Sequence, residues 1–242
     1  YETIRTLNAY IYCFVSTNSR DSVAQARLSE LRQRLVRVSQ LGTRLTAWAG
    51  TLDVAILAAQ SSIVATHRFM LEEAGRRAKH QMPPDSEALA TELNVSGGGA
   101  WARLHSNLTS QLSVQFDGNA QPMSAIRAMA YDGDGETRRA AHEAEITAWQ
   151  STAMPLAMAI NAIKGEVNTL AKRRGFADPV DISLLDNRMD RATLDAMMGA
   201  AYDSFPLFRR YLRAKARLLK SGTQLPWYDL FAPVSTADKA WS

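Results

Sequence analysis

Apolar residues recur with a helical period over stretches too long for anything but helix-on-helix packing. From Ser22 to Leu45 they fall at Ala24, Leu28, Leu31, Leu35, Val38 and Leu45, with arginines between them. That spacing puts one apolar stripe on one face of a long amphipathic helix. Asn18-Ser19-Arg20-Asp21, just ahead of it, offers side chains to cap its first N–H groups. Glu136 to Arg174 repeats the pattern over a longer span, through Ala140, Ala144, Trp149, Leu156, Ile163 and Leu170. Pro155 lies inside that span and predicts a kink or a break there, and Gly175 ends it.

The other segments fit around these two. Tyr1 to Val15 reads as a helix that pairs antiparallel with the first long one. Ala47 to Leu57 is a short apolar element, Ser61-Ser62 interrupts, and Ile63 to His80 is helical again. Pro83-Pro84-Asp85 starts the next helix, Ser86 to Leu93, because proline suits a first helical turn. The β signal runs from Leu108 to Phe116, where Leu112, Val114 and Phe116 alternate with polar residues before an Asp117-Gly118-Asn119 turn. Pro122-Met123-Ser124 leads on to a short helix, Ala125 to Tyr131. Helical patterns return at Asp181–Asp186, Arg191–Tyr202 and Pro206–Lys220. The aromatic, proline-bounded run Leu225 to Pro233 predicts an extended segment packed on helices, and Ser235 to Ser242 a cut or frayed tail.

Charge and composition exclude several classes. The net charge of +4 is spread along the chain, with acidic residues near most arginines, which describes solvated helix faces rather than a nucleic-acid surface. No apolar run approaches the roughly 18–20 residues of a membrane span, and the first five residues lack the pattern of a signal peptide. The chain does not open on methionine, so a start inside a longer natural sequence is expected. A single cysteine, Cys13, rules out an internal disulfide and fits a reducing, cytoplasmic setting; among Tyr10, Ile11, Tyr12 and Phe14 it reads as a small buried hydrophobe.

Catalytic constellations are missing. His67, His80, His105 and His142 include no pair three or four apart, so no helix face offers two imidazoles to a metal. His142-Glu143-Ala144-Glu145-Ile146 falls one ligand short of His-Glu-x-x-His, with Ile146 at the second histidine position, and His142 is expected to be solvated. No Gly-x-Ser-x-Gly elbow is present, and Glu72-Glu73 and Glu143 with Glu145 read as surface charges. Gly97-Gly98-Gly99 lacks the Lys-Ser/Thr of a phosphate loop and reads as a flexible helix start capped by Ser96. Asp132-Gly133-Asp134-Gly135-Glu136 resembles half a calcium loop but reads as a polar turn in which Asp134 caps the following helix. The sequence therefore assigns no catalytic, cofactor-binding or metal-ligating residue.

Several stretches, in order, resemble the oligoendopeptidase F branch of the M3 zinc metallopeptidase family: Ser96 to His105 with Leu108 to Leu112, Pro122 to Arg127, Arg138 to Ala144, Asn161 to Asn168, Leu185 to Asp190, Phe208 to Lys215 and Trp227 to Pro233. The resemblance implies a mainly α fold: an antiparallel helical domain over residues 1–130 with one small β-hairpin near 108–123, leading at 131–242 into the first helices of an M3-type catalytic domain. It implies a zinc-dependent peptidase that hydrolyses oligopeptides inside a channel. The zinc would be held by a His-Glu-x-x-His helix and a later glutamate, beyond Ser242. This chain alone is then expected to bind no zinc and cut no peptide, and to need the missing C-terminal catalytic half as partner. A non-catalytic helical module that binds peptides or a partner chain is the alternative.

Overall fold

The structure, a computed structural model, describes residues 2–234; the tail expected at Ser235 to Ser242 lies outside the described residues. The described residues form two compact units, 2–107 with 157–190 and 108–156 with 191–234.

The first unit begins with α1 (Glu2–Thr17) and α2 (Ser22–Ala49). Asp21 caps α2, its carboxylate accepting from the N–H groups of Val23 and Ala24. α2 is the hub, packing against α1, α4 (Ser62–Ala78) and α5 (Pro84–Ser96), while α3 (Val54–Gln60) packs on α4. Asp53 and Ser61 cap α3 and α4, and these two caps cut the apolar run after Ala47 into the end of α2 and a separate short helix. α6 (Gly98–Gln111) starts in this unit; the second part of α8 (Gly135–Arg173) and α9 (Pro179–Asn187) complete it. A capping box between Asp178 and Asp181 starts α9, and Arg188 ends it in the left-handed region at φ 53°. Cys13 is exposed, contrary to the buried position expected. α1 buries no residue, and only Ile4, Ile11 and Val15 among its large apolar residues are partly covered, so Cys13 falls outside that stripe.

At the hub, α2 and α4 come close through small residues. A Cβ on Gly50 would lie 2.4 Å from the Cβ of Ala78, whereas one on Gly75 would meet nothing within 4 Å. Gly50→Ala is therefore expected to destabilise the unit by about 1–3 kcal/mol through overpacking. Gly75→Ala should be neutral or slightly stabilising, since alanine favours helix. Urea denaturation of both variants checks the contrast.

The second unit holds the hairpin of β1 (Ser113–Phe116) and β2 (Asn119–Pro122), paired antiparallel with Phe116 opposite Asn119. Asp117 and Gly118 both have positive φ, 50° and 73°, the geometry of a two-residue primed turn. The strand is shorter than expected, because Leu108 to Gln111 finishes α6. Leu108 and Leu112 are four apart and so satisfy a helical face as well as an alternating one. Val114 packs with Met123 and Ile126 of α7 (Met123–Ala128) and with Ala141 of α8, and these four residues form the buried core cluster.

Of the kink or break expected at Pro155, the break does not occur: α8 runs through it as one helix. Likewise α10 (Arg191–Leu218) is one helix through Pro206 rather than two. A proline deletes one rung of the backbone ladder, and helices of 39 and 28 residues retain enough other rungs to continue. Among the described residues no helix is long and apolar enough to cross a membrane.

Candidate functional site

The loop between α4 and α5 organises the polar heart of the first unit. Pro83 and Pro84 fix where α5 begins, and Glu87, one turn inside it, is 5% exposed. Its Oε1 accepts from the backbone N–H of Met82 at 3.0 Å and from Arg174 Nε at 3.0 Å, and its Oε2 accepts from Arg174 Nη2 at 2.7 Å. Burial works against ionisation of this carboxyl. The Arg174 hydrogen bond, the Met82 N–H and the Arg174 charge outweigh it and hold the group below the ordinary glutamate range. Beside the pair, His80 stacks on Phe176 with ring centroids 4.0 Å apart, and its Nδ1 donates to the Arg174 carbonyl at 3.2 Å. His80 is thus occupied as a structural donor.

Along the same loop, a groove of about 630 Å³ opens between α2, α4 and α5. Gly50, Gly75, Ala47 and Ala78 make room for it, and Met82 adds an apolar wall. Gln81 donates from Nε2 to the Thr43 carbonyl at 3.1 Å, while its Oε1 is buried with no hydrogen-bond partner. Arg44, Lys79 and Asp85 also line the groove, and none of them has an ion-pair partner among the described residues. A second hollow of about 500 Å³ shares Thr51, Gly75 and Lys79 with the first, so the depression continues along α4.

The glycine triplet has an occupant from its own chain. Glu166 of α8 accepts from the Gly98 N–H through Oε2 and from Asn94 Nδ2 through Oε1. A Cβ on Gly97 or Gly98 would lie 2.6 or 2.9 Å from Glu166 Oε2, so the glycines are there to admit that carboxylate. Ser96 is not the cap; it ends α5 and donates to the Leu93 carbonyl. An anion site exists at this helix start, and an internal carboxylate fills it.

Glu73, expected on the surface, is 6% exposed and pairs with Arg76 at 3.1 Å and Arg188 at 3.5 Å. In the second unit Arg138 is 5% exposed. It donates through Nε and Nη2 to Asp229 Oδ1 at 3.1 and 2.7 Å, and through Nη1 to the carbonyls of Asp132 and Gly133. Ser221 Oγ donates to the other Asp229 oxygen at 2.6 Å. The aromatic segment is therefore pinned at a 3₁₀ turn, Trp227–Asp229, rather than simply extended. Asp134 caps α8 through the N–H groups of Glu136 and Thr137. Glu145 is drawn into a cluster, accepting from Arg127 Nε at 2.8 Å and Trp149 Nε1 at 3.0 Å.

The histidines stay apart. His67 and His105 are exposed on α4 and α6, and His142 is half-buried on α8 with its ring centroid 6.2 Å from that of Tyr228. Among the described residues no group of three His, Cys, Asp or Glu side chains is placed to hold a metal ion. Gln81, Arg44 and Lys79 carry no motif, and Asp85 reads in the sequence only as part of a Pro-Pro-Asp helix start.

Residues 55–113 match the family model for the N-terminal region of the M3 peptidases, described as oligopeptidase F. Among solved structures, oligoendopeptidase F from Enterococcus faecium superposes with a TM-score of 0.82 at 16% identity, over 97% of this chain and 48% of that one. A protein assigned as oligoendopeptidase F from Bacillus anthracis gives 0.75 at 14% identity, over 92% of this chain and 40% of that one. The chain thus spans less than half the length of either. No match is found among the curated proteins.

Proposed function

We propose that this chain, an oligoendopeptidase F-like protein of the M3 peptidase family, builds part of the wall of a peptide channel. The zinc chemistry would fall to a His-Glu-x-x-His segment that its own 242 residues do not contain. The observation that carries this reading is a helical fold shared over 97% of the chain with an oligoendopeptidase F. These residues do not fit zinc, so no hydrolytic step is assigned to them. In this reading residues 131–242 open the catalytic domain, and oligopeptides are the substrate of the complete protein.

α10 supports the same reading. Leu194, Met198, Ala201, Phe205, Phe208 and Leu212 recur at steps of four and three, which places them on one face. Phe205 and Phe208 are 41% and 60% exposed. An apolar stripe left this open is the side on which further helices of a larger protein would pack.

The test is an assay with a quenched fluorescent oligopeptide and added zinc. The chain alone is expected to give no chelator-sensitive turnover, and a longer version carrying a His-Glu-x-x-His helix is expected to give it. Chelator-sensitive turnover by the 242-residue chain overturns the proposal. The α10 stripe also predicts self-association that rises with concentration in light scattering; a strictly monomeric chain would favour the alternative of a self-sufficient peptide- or partner-binding module.

A further inference from the structure

We propose that one face of α10 docks on α5 of a second copy of this chain. From Ser204 to Tyr228 the sequence holds six cations and no acid, whereas the whole chain carries a net +4. Among the described residues, ten arginines between Arg27 and Arg188 are held in ion pairs. The exposed Arg209, Arg210, Arg213 and Arg217 have no carboxylate partner among the described residues. At about 100° per residue, Arg210 and Arg217 form one row along α10, and Leu207, Tyr211 and Leu218 form the next. The three apolar side chains are each more than half exposed. Their row lies roughly a third of a turn from the stripe of Phe205 and Phe208.

α5 presents the converse. Asp85 and Glu92 form one exposed row, and Leu89 and Leu93 form the next. Neither carboxylate has an ion-pair partner among the described residues; Glu92 accepts only from Gln40 Nε2 at 3.0 Å. Asp85 and Glu92 are seven residues apart, as are Arg210 and Arg217. Each pair therefore spans about 10.5 Å along its axis. On both helices, viewed from the N-terminus, the apolar row follows the charged row in the same sense of rotation. Acid then meets cation and leucine meets leucine when the helices run antiparallel, with Asp85 against Arg217 and Glu92 against Arg210. Burial of the apolar rows supplies the affinity, and the charges set register and direction. An anionic membrane fits less well. The rest of the apolar side of α10 is already buried at Lys215 and Ala216 and cannot enter a bilayer. Two helices of this length bury less than a standard interface, so the association is reversible and rises with concentration.

The experiment follows the full 242-residue chain by sedimentation equilibrium over a dilution series. The mean mass should rise with concentration and fall back as salt is raised. Arg210→Glu/Arg217→Glu and Asp85→Arg/Glu92→Arg should each weaken association by about tenfold or more, since each sets like charges face to face. An equimolar mixture of the two variants should recover the parent's association, because every contact across the mixture is again acid against base. Recovery also shows that both variants fold. Leu207→Ser/Tyr211→Ser should weaken association at every salt concentration. A parent that stays monomeric, reversals that change nothing, or a mixture that does not recover each overturn the inference. Capture of a monomeric parent by phosphatidylserine vesicles, lost in Arg210→Glu/Arg217→Glu, would assign the face to a lipid surface instead. The contact does not rest on the peptidase reading. Chelator-sensitive turnover by the short chain sinks that reading and leaves the contact standing. Association that survives both reversals but is lost in Phe205→Ser/Phe208→Ser sinks the contact and leaves the reading.

Discussion

Arg138→Ala lowers the stability of the second unit by about 3–5 kcal/mol, the penalty for stripping one partner from a buried ion pair. The variant leaves the Asp229 carboxylate, 4% exposed, with Ser221 as its remaining hydrogen-bond donor, and it takes the shared donor away from the Asp132 and Gly133 carbonyls. Arg138→Lys should recover little. One guanidinium reaches Asp229 and two carbonyls at once because its donors form a planar fork, and an ammonium on a flexible stem cannot span the same three acceptors. Urea denaturation gives the size of the loss. Amide exchange gives its location: protection should fall first at residues 132–134 and 227–232, which the arginine ties together. A variant as stable as the parent would show that the 3₁₀ turn is held without the arginine, by Ser221, Lys215 and its aromatic contacts.

Glu87→Ala should cost the first unit less, about 1–3 kcal/mol, by orphaning the Met82 N–H and an Arg174 guanidinium that is 30% exposed and partly open to water. The same pair sets an acid limit. The Glu87 carboxyl is held below its ordinary value in the folded chain, against the opposing effect of burial. Its contribution is therefore fully present above the unfolded glutamate value of about 4.3 and is lost as the pH falls through the lower folded value. Stability measured between neutral pH and about pH 5 should be insensitive to this group and should fall below about pH 4. Glu87→Gln keeps the shape and removes the titration, so it should start less stable and decline less steeply across the acid range. A parallel decline in both proteins would assign the acid loss to other carboxylates.

Where an element depends on its own spacing, the amino-acid sequence reveals it. The apolar stripe after Ser22, the caps Asp21 and Asp134, and the Asp117-Gly118 turn all act within a few residues, and all are legible. The two helices read around Pro206 are one, and Pro155 makes no break, because the local rule weighs a proline against one turn, whereas these prolines sit in helices of 28 and 39 residues. Leu108 to Gln111 misled because two leucines four apart serve either period.

The buried charges were not legible at all. Glu73, Glu87, Lys215 and Asp229 look like any polar residue on a helix or loop. What removes them from solvent is a partner far away in sequence, 87 residues for Glu87 with Arg174 and 91 for Asp229 with Arg138. The glycine triplet is the clearest case. Its sequence reads as a flexible helix start, and only the fold shows that the Glu166 carboxylate arrives there. The groove was hidden for the same reason, since Gly50 and Ala78 belong to different helices and become neighbours only when those helices pack.

The discontinuous build of the first unit bears on how the polypeptide folds as it leaves a ribosome. Its opening 107 residues emerge early, yet the groups that lock them, Glu166, Arg174 and Asp186, come from the returning segment 157–190. Until that segment is made, Glu87 and the glycine-rich helix start lack their partners, and the nascent N-terminal helices must wait with apolar surface uncovered. Synthesis halted between residues 107 and 157 would leave that unit open, whereas synthesis completed through residue 190 would let it close.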